Sequence, residues 1–181
     1  MSSNDTTERL WAELWLRQDT YGTYEAQQAT LDRMRTLEAE GVLGDSTVAG
    51  WGKQVLTFES DVRTEADAAL AAFERWADRA DASLEPAFDR RTESSLLSQE
   101  TYEVAIFPVV CLALYEGNEV CGVFPCTVDD EVYTVQDALD ALADGDVGAL
   151  LDEIGGGRAA HRTGTGDAST GGDEVTYNPA P

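Results

Sequence analysis

The sequence predicts one small α/β (α+β) domain with the order strand, helix, strand, helix, two strands, helix. Three observations carry that expectation. From Tyr24 to Glu40 there is neither Gly nor Pro, and Leu31, Met34 and Leu37 recur at helical spacing. A second stripe, Ala66, Leu70, Phe73, Ala77 and Ala80, marks one face of another helix. Two apolar runs, Tyr102 to Tyr115 and Val120 to Phe124, flank Glu116-Gly117-Asn118-Glu119, the pattern of a β-hairpin.

The first element lies at Leu10 to Arg17. Leu10, Trp11, Leu14 and Trp15 fit a helical stripe, whereas Leu10, Ala12, Leu14 and Leu16 alternate as in a strand. Its short length and the turn-rich DTYGTY that follows favour the strand. The helix over 24–40 ends at Gly41, where a C-terminal cap belongs. Val48, Trp51, Val55 and Phe58, interrupted by Gly50 and Gly52, read as a bent strand or short hairpin.

Thr64 and Asp67 then form an acidic version of the N-terminal capping box ahead of the second helix, whose apolar face Trp76 extends. Leu84, Pro86 and Phe88 belong to a loop that tucks its Phe into the core. In the hairpin, a two-residue Gly117-Asn118 loop sets Glu116 against Glu119. Counting back puts Cys111 opposite Phe124 and Val109 opposite Cys126, with Cys111 and Cys126 on one face and Cys121 on the other. Thr134, Val135, Ala138, Leu139 and Leu142 make a capped helix, and a short one from Val147 to Ile154 closes a domain spanning 1–154. Residues 155–181 lack any apolar period, are rich in Gly, Thr, Asp and Pro, and read as a disordered tail that holds His161, the single histidine.

Composition speaks about solvent. The net charge of -23 comes from 35 Asp+Glu against 12 Lys+Arg, and Lys53 is the one lysine in the chain. At molar salt the Debye length falls to about 3 Å, so the self-repulsion of such a surface largely vanishes. Losing lysine removes long apolar stems that strong salt would drive together. The combination points to a salt-rich cytoplasm. The other reading, an acidic protein that binds basic partners or mimics nucleic acid, would concentrate charge, but here acids occur in every segment. No secretory apolar region follows Met1 and no apolar run approaches the roughly 18 residues that span a bilayer, so no membrane role is expected.

The chemistry-bearing residues are few. Cys111, Cys121 and Cys126 form no C-x-x-C pair, no even disulfide framework and no zinc pattern, and read as small buried residues. There is no G-x-G-x-x-G, P-loop, H-E-x-x-H or G-x-S-x-G, so no catalytic residue, metal or cofactor is expected. Thiol chemistry at Cys126 or Cys121, with Cys111 beside them, is the one enzymatic reading with residues to name.

The order of elements resembles the thioredoxin-like fold, above all where Ile106-Phe107-Pro108 leads into an apolar strand, the turn, a second strand and the helix near Asp137 to Leu142. That resemblance implies a cis Pro108 beside a site loop at Thr20, Tyr21, Gly22 and Thr23; the other reading of Pro108 is a proline that opens a strand. Redox members hold C-x-x-C where this chain has Asp19-Thr20-Tyr21-Gly22-Thr23-Tyr24, so disulfide exchange has no attacking group there.

The chain as a whole also resembles a set of small haloarchaeal proteins that carry a helix-turn-helix label, through LWAELWLRQ, WGKQV, ERWADRADASLEPAFDRR and YEVAIFPVVCLALYEGNEV. LDRMRTLEAEGVLGDSTV is similar to the recognition helix and following strand of feast/famine-type regulators, which implies Gln27, Gln28, Arg33 and Arg35 as DNA contacts. A helical first element would supply the preceding helix. Three functions follow: a non-catalytic regulatory or protein-interaction module, a DNA-binding regulator, and an atypical thiol-dependent redox protein. Trp11, Trp15, Trp51 and Tyr21 either form a contact patch on an uncovered sheet face or, for the tryptophans, pack under the helices.

Overall fold

A computed structural model describes residues 9–19, 22–56, 64–94 and 101–156. Thr20, Tyr21, Phe58, His161 and the expected tail from 157 onward lie outside the described residues. The first element is a strand, β1 (Trp11–Arg17), followed by α1 (Tyr24–Ala39) and β2 (Ser46–Trp51), which returns parallel to β1 with Leu14 beside Val48. Burial decides the ambiguous period: Ala12 and Leu14 are sealed on one face of β1, and Trp15 on the other. A strand covered on both faces mimics a helical stripe because both alternate sets are apolar.

The hairpin supplies β6 (Val110–Glu116) and β7 (Glu119–Phe124), and the four strands form one sheet in the order β2-β1-β6-β7, with β6 antiparallel to both neighbours. Thus β1 is central, and the expected sequence of seven elements is present in the expected order.

Helix α1 lies on the Leu14 face, where α3 (Val135–Asp144) packs against it and Arg33 reaches Asp140. Helix α2 (Glu65–Ala80) covers the opposite face, where Phe73 meets Phe88 and an aromatic stack of Trp15, Trp51 and Phe107 fills the core. Both α2 and α3 begin with a Thr–Asp capping box, at Thr64/Asp67, as the sequence indicates, and at Thr134/Asp137. Helix α4 (Val147–Gly156) follows the Gly145-Asp146 turn and packs on β7, where the missing side chain of Gly122 admits it. A Cβ at Gly122 would lie 2.7 Å from Leu151 Cδ2.

Four expectations need correction. The segment read as a bent strand or hairpin is two strands of two different sheets, because the chain leaves β2 at Gly52 and Lys53 and enters β3 (Gln54–Leu56) in a three-stranded sheet ordered β3-β5-β4. The run Tyr102 to Tyr115 is also divided, into β5 (Thr101–Ile106) and β6, at Phe107-Pro108-Val109, where the proline lacks the N–H that a continuous ladder needs. The polar strand β4 (Asp89–Ser94) has no apolar alternation to reveal it, and β8 (Cys126–Val128) with β9 (Glu131–Tyr133) adds a small hairpin through Asp129 and Asp130, both at positive φ.

The hairpin register is the last correction. Glu116 does face Glu119, and Gly117 holds the positive φ of 58 that suits the first loop position of a type II′ turn. A bulge follows, however: Tyr115 pairs with Val120 and Leu114 with Gly122, leaving Cys121 as the extra residue. Leu112, not Cys111, therefore stands opposite Phe124.

Candidate functional site

The loop that the thioredoxin-like resemblance marks runs from the end of β1 to the start of α1. Gly22, at φ 82, makes the turn into the helix, and Thr23 occupies the N-cap position without a side-chain cap bond. Opposite lies Phe107-Pro108-Val109. The Phe107–Pro108 bond is trans; the cis bonds are Glu85–Pro86 and Phe124–Pro125. The expectation of a cis Pro108 is therefore wrong, and the hydrogen bonding gives the physical reason.

Three successive carbonyls of this trans segment are each met by a donor. Arg17 Nη1 donates to the Phe107 carbonyl at 3.2 Å, Trp51 Nε1 to Pro108 at 3.1 Å, and Gln27 Nε2 to Val109 at 3.1 Å. The Gln27 amide also donates to the Arg17 carbonyl at 2.9 Å, while the Arg17 backbone N–H donates to Val109 at 2.9 Å. Gln27 is the sole buried polar residue among those described. The Arg17 guanidinium also lies 3.4 Å from Asp19. Here Arg17, Gln27 and Trp51 bind the chain's own backbone, while Arg17 Nε and Thr23 Oγ1 are buried without a hydrogen-bond partner among the described residues.

These contacts change the assignments made from sequence. Gln27 is not free to touch DNA, and Arg33 is paired with Asp140 of α3. Gln28 is half-buried and Arg35 exposed, which leaves those two on the open surface of α1. Arg17 and Trp51 are the junction residues that sequence reasoning missed. Gln27 carried a signal: it stands on the stripe Gln27, Leu31, Met34, where a polar residue must have buried partners.

The cysteines are free, and none of them makes the junction's hydrogen bonds. Cys111 is fully buried, and burial, followed by the Glu13 carboxylate and then the neighbouring Cys126, pushes its thiol well above the usual range. Burial raises Cys126 to about 12. Cys121 rises to about 11, first from burial and then from Glu116; its Sγ donates to the Leu114 carbonyl at 3.2 Å. It sits at the wall of a cavity of about 400 Å³ formed with Trp76, Arg79 and Glu119. Cys126 lies on β8, paired with Tyr133, and not on β7, so the expected pairing of Val109 with Cys126 does not form.

Thiolates attack and thiols do not, so labelling by a maleimide at neutral pH is expected to be slow at Cys121 and negligible at Cys111 until the chain unfolds. The rate at Cys121 should climb with pH toward 11; fast labelling at pH 7 would refute the assignment. Native thiols keep their protons above the usual value near 9 while unfolded ones ionise, so their contribution to stability is complete below that pH and lost as pH rises toward 11 and 12.

The tryptophans divide. Trp15 and Trp51 are core residues, whereas Trp11 is half-buried, stacks on Tyr115 at 4.0 Å and donates to the Gly117 carbonyl. Among the described residues there is no group of three or more His, Cys, Asp or Glu side chains placed to hold a metal ion, and no helix is long and apolar enough to cross a membrane.

Fold and site together define a mixed α/β domain with helices on both faces of a central sheet and a hydrogen-bonded junction at its α1 end. A family described as a helix-turn-helix domain matches residues 4–147, and the chain belongs to that family. No curated protein and no solved structure matches it significantly. The element before α1 is a strand, so the two-helix arrangement implied by the feast/famine resemblance is not built there. Among the described residues, the helices joined by a two-residue turn are α3 and α4, whose segment from Val135 to Gly156 carries acids and no Lys or Arg.

Proposed function

We propose that this chain is a non-catalytic regulatory module of the helix-turn-helix family, adapted to a salt-rich cytoplasm, that works by binding another protein. Its frame is thioredoxin-like: the sheet order β2-β1-β6-β7, with β1 and β2 parallel, and α1 with α3 opposite α2, supports that reading. The observation that carries the functional reading is the junction. Arg17 Nη1, Trp51 Nε1 and Gln27 Nε2 donate to the carbonyls of Phe107, Pro108 and Val109, and burial raises the thiols of Cys121 and Cys126.

The family description favours a second reading, a DNA-binding regulator. Its contacts would be Gln28 and Arg35 on α1, one amide and one cation beside the exposed Glu25 and Asp32. Phosphate contacts weaken further as salt rises.

Both readings are tested on the full chain at a salt concentration where circular dichroism reports it folded. Titration against genomic DNA fragments is expected to give no shift, and capture followed by reconstitution from purified components a saturable complex that survives Cys121→Ser and Cys126→Ser. A shift weakened by Arg35→Ala moves the function to DNA. Loss of the complex on Cys121→Ser moves it to thiol chemistry.

A further inference from the structure

Strand β2 is an edge, with no strand on its outer side among the described residues. Its bonds to β1 run through alternate residues, from Ala12 N–H on the Asp45 carbonyl at one end to Gln18 N–H on the Trp51 carbonyl at the other. The alternation turns the N–H and C=O groups of Ser46, Val48 and Gly50 outward. Edge strands are ordinarily protected by charge, proline or a bulge. The run STVAGW has no charge and no proline in a chain in which 26% of residues are charged, and Val48 at its centre is 49% exposed.

The helix above this edge adds charge of both signs. Glu38 of α1 accepts a hydrogen bond from Ser46 Oγ, which fixes α1 over the β2 face that carries Ser46 and Val48. Arg33 occupies the flank of α1 toward α3. Asp32 and Arg35 are exposed around the helix from it, and neither makes an ion pair among the described residues.

We propose that β2 pairs antiparallel with β2 of a second copy of this chain about a two-fold axis at Val48, joining two four-stranded sheets into one of eight. Ser46 then pairs with Gly50 of the other copy and Val48 with its own counterpart, forming about six main-chain hydrogen bonds between outward groups. A helix rises about 1.5 Å per residue and a strand about 3.3 Å, so Arg35 lies level with the stretch between Ser46 and Val48. The two-fold axis brings Arg35 of each copy abreast of Asp32 of the other, twice over, as an isologous interface requires. That complementarity selects a second copy as the occupant: it presents the matching acid and base in reversed order, whereas a peptide of either sign alone would match one and repel the other. The pairing is independent of whether the regulated partner is a protein or DNA.

Sedimentation of the full chain, in buffer where it is folded, tests the proposal. Wild-type chain is expected at twice its 19.6 kDa mass. Val48→Lys should weaken self-association at least about tenfold, and Arg35→Asp and Asp32→Arg each about threefold or more at the lowest salt that keeps the chain folded, all three at exposed positions and checked by circular dichroism. An equimolar mixture of the Arg35→Asp and Asp32→Arg chains should regain the dimer mass, because each supplies the charge the other lacks. A wild-type chain that stays monomeric at every attainable concentration overturns the proposal. So does a dimer that all three substitutions leave intact, or a mixed pair that fails to associate while wild type dimerises.

Discussion

Trp51→Ala is expected to cost about 3–5 kcal/mol, the range for emptying a large aromatic site in a packed core, and to leave little of the roughly 5–15 kcal/mol that holds an ordinary domain. Trp51 stacks on Phe107 at 4.5 Å and on Trp15 at 5.0 Å, and meets Phe88 edge-on at 5.7 Å. One ring therefore joins β1, the β5–β6 connection and the loop that follows α2. Trp51→Phe separates the ring from its polar end: most of the stack survives, while the Pro108 carbonyl loses its donor at a cost of about 1–3 kcal/mol. Urea denaturation of both variants measures the two contributions. If Trp51→Ala costs no more than Trp51→Phe, the stack is not what holds the two sheets together.

Gln27→Leu should remove about 1–3 kcal/mol while nearly conserving volume, because it leaves a buried acceptor without its donor. The two acceptors are not equal. The Val109 carbonyl keeps the Arg17 N–H, whereas the Arg17 carbonyl loses the Gln27 amide. Gln27→Glu should cost more, since it sets a carboxylate against the same carbonyl oxygens, and its penalty should ease as falling pH protonates the new group. Denaturation curves for the three proteins across pH provide the check. A Gln27→Leu chain as stable as wild type would mean that the junction is dispensable.

Much of the architecture was legible because it rests on local rules. The Gly117 turn, the Thr64–Asp67 capping box and the β-period of Leu10 to Arg17 each need only neighbours along the chain, and each appears where expected. The second sheet was not legible, because β4 carries DRRTES with almost no buried side chain and so has no alternation to read. The bulge at Cys121 likewise comes from packing across β6 and β7, which a count along one strand cannot register. At the site, the thioredoxin-like resemblance implied that Pro108 stands beside the loop ahead of α1, and Gly22 and Thr23 do lie opposite the Pro108 segment that Gln27 of α1 ties. That Gln27 is a buried tie and not a surface reader depends on partners 10 and 82 residues away.

The backbone crosses between the two sheets twice, outward at Gly52-Lys53 and back at Phe107-Pro108-Val109, and the Phe107 N–H donates to the Lys53 carbonyl at 2.9 Å. Stitching the crossings to each other removes the freedom that would let one sheet open while the other stays closed. Amide protons of β5 and β6 should then exchange through a common cooperative opening and not as separate foldons. Trp51 donates to the middle residue of the return crossing, so a ligand that strained Pro108 would be felt in both layers at once.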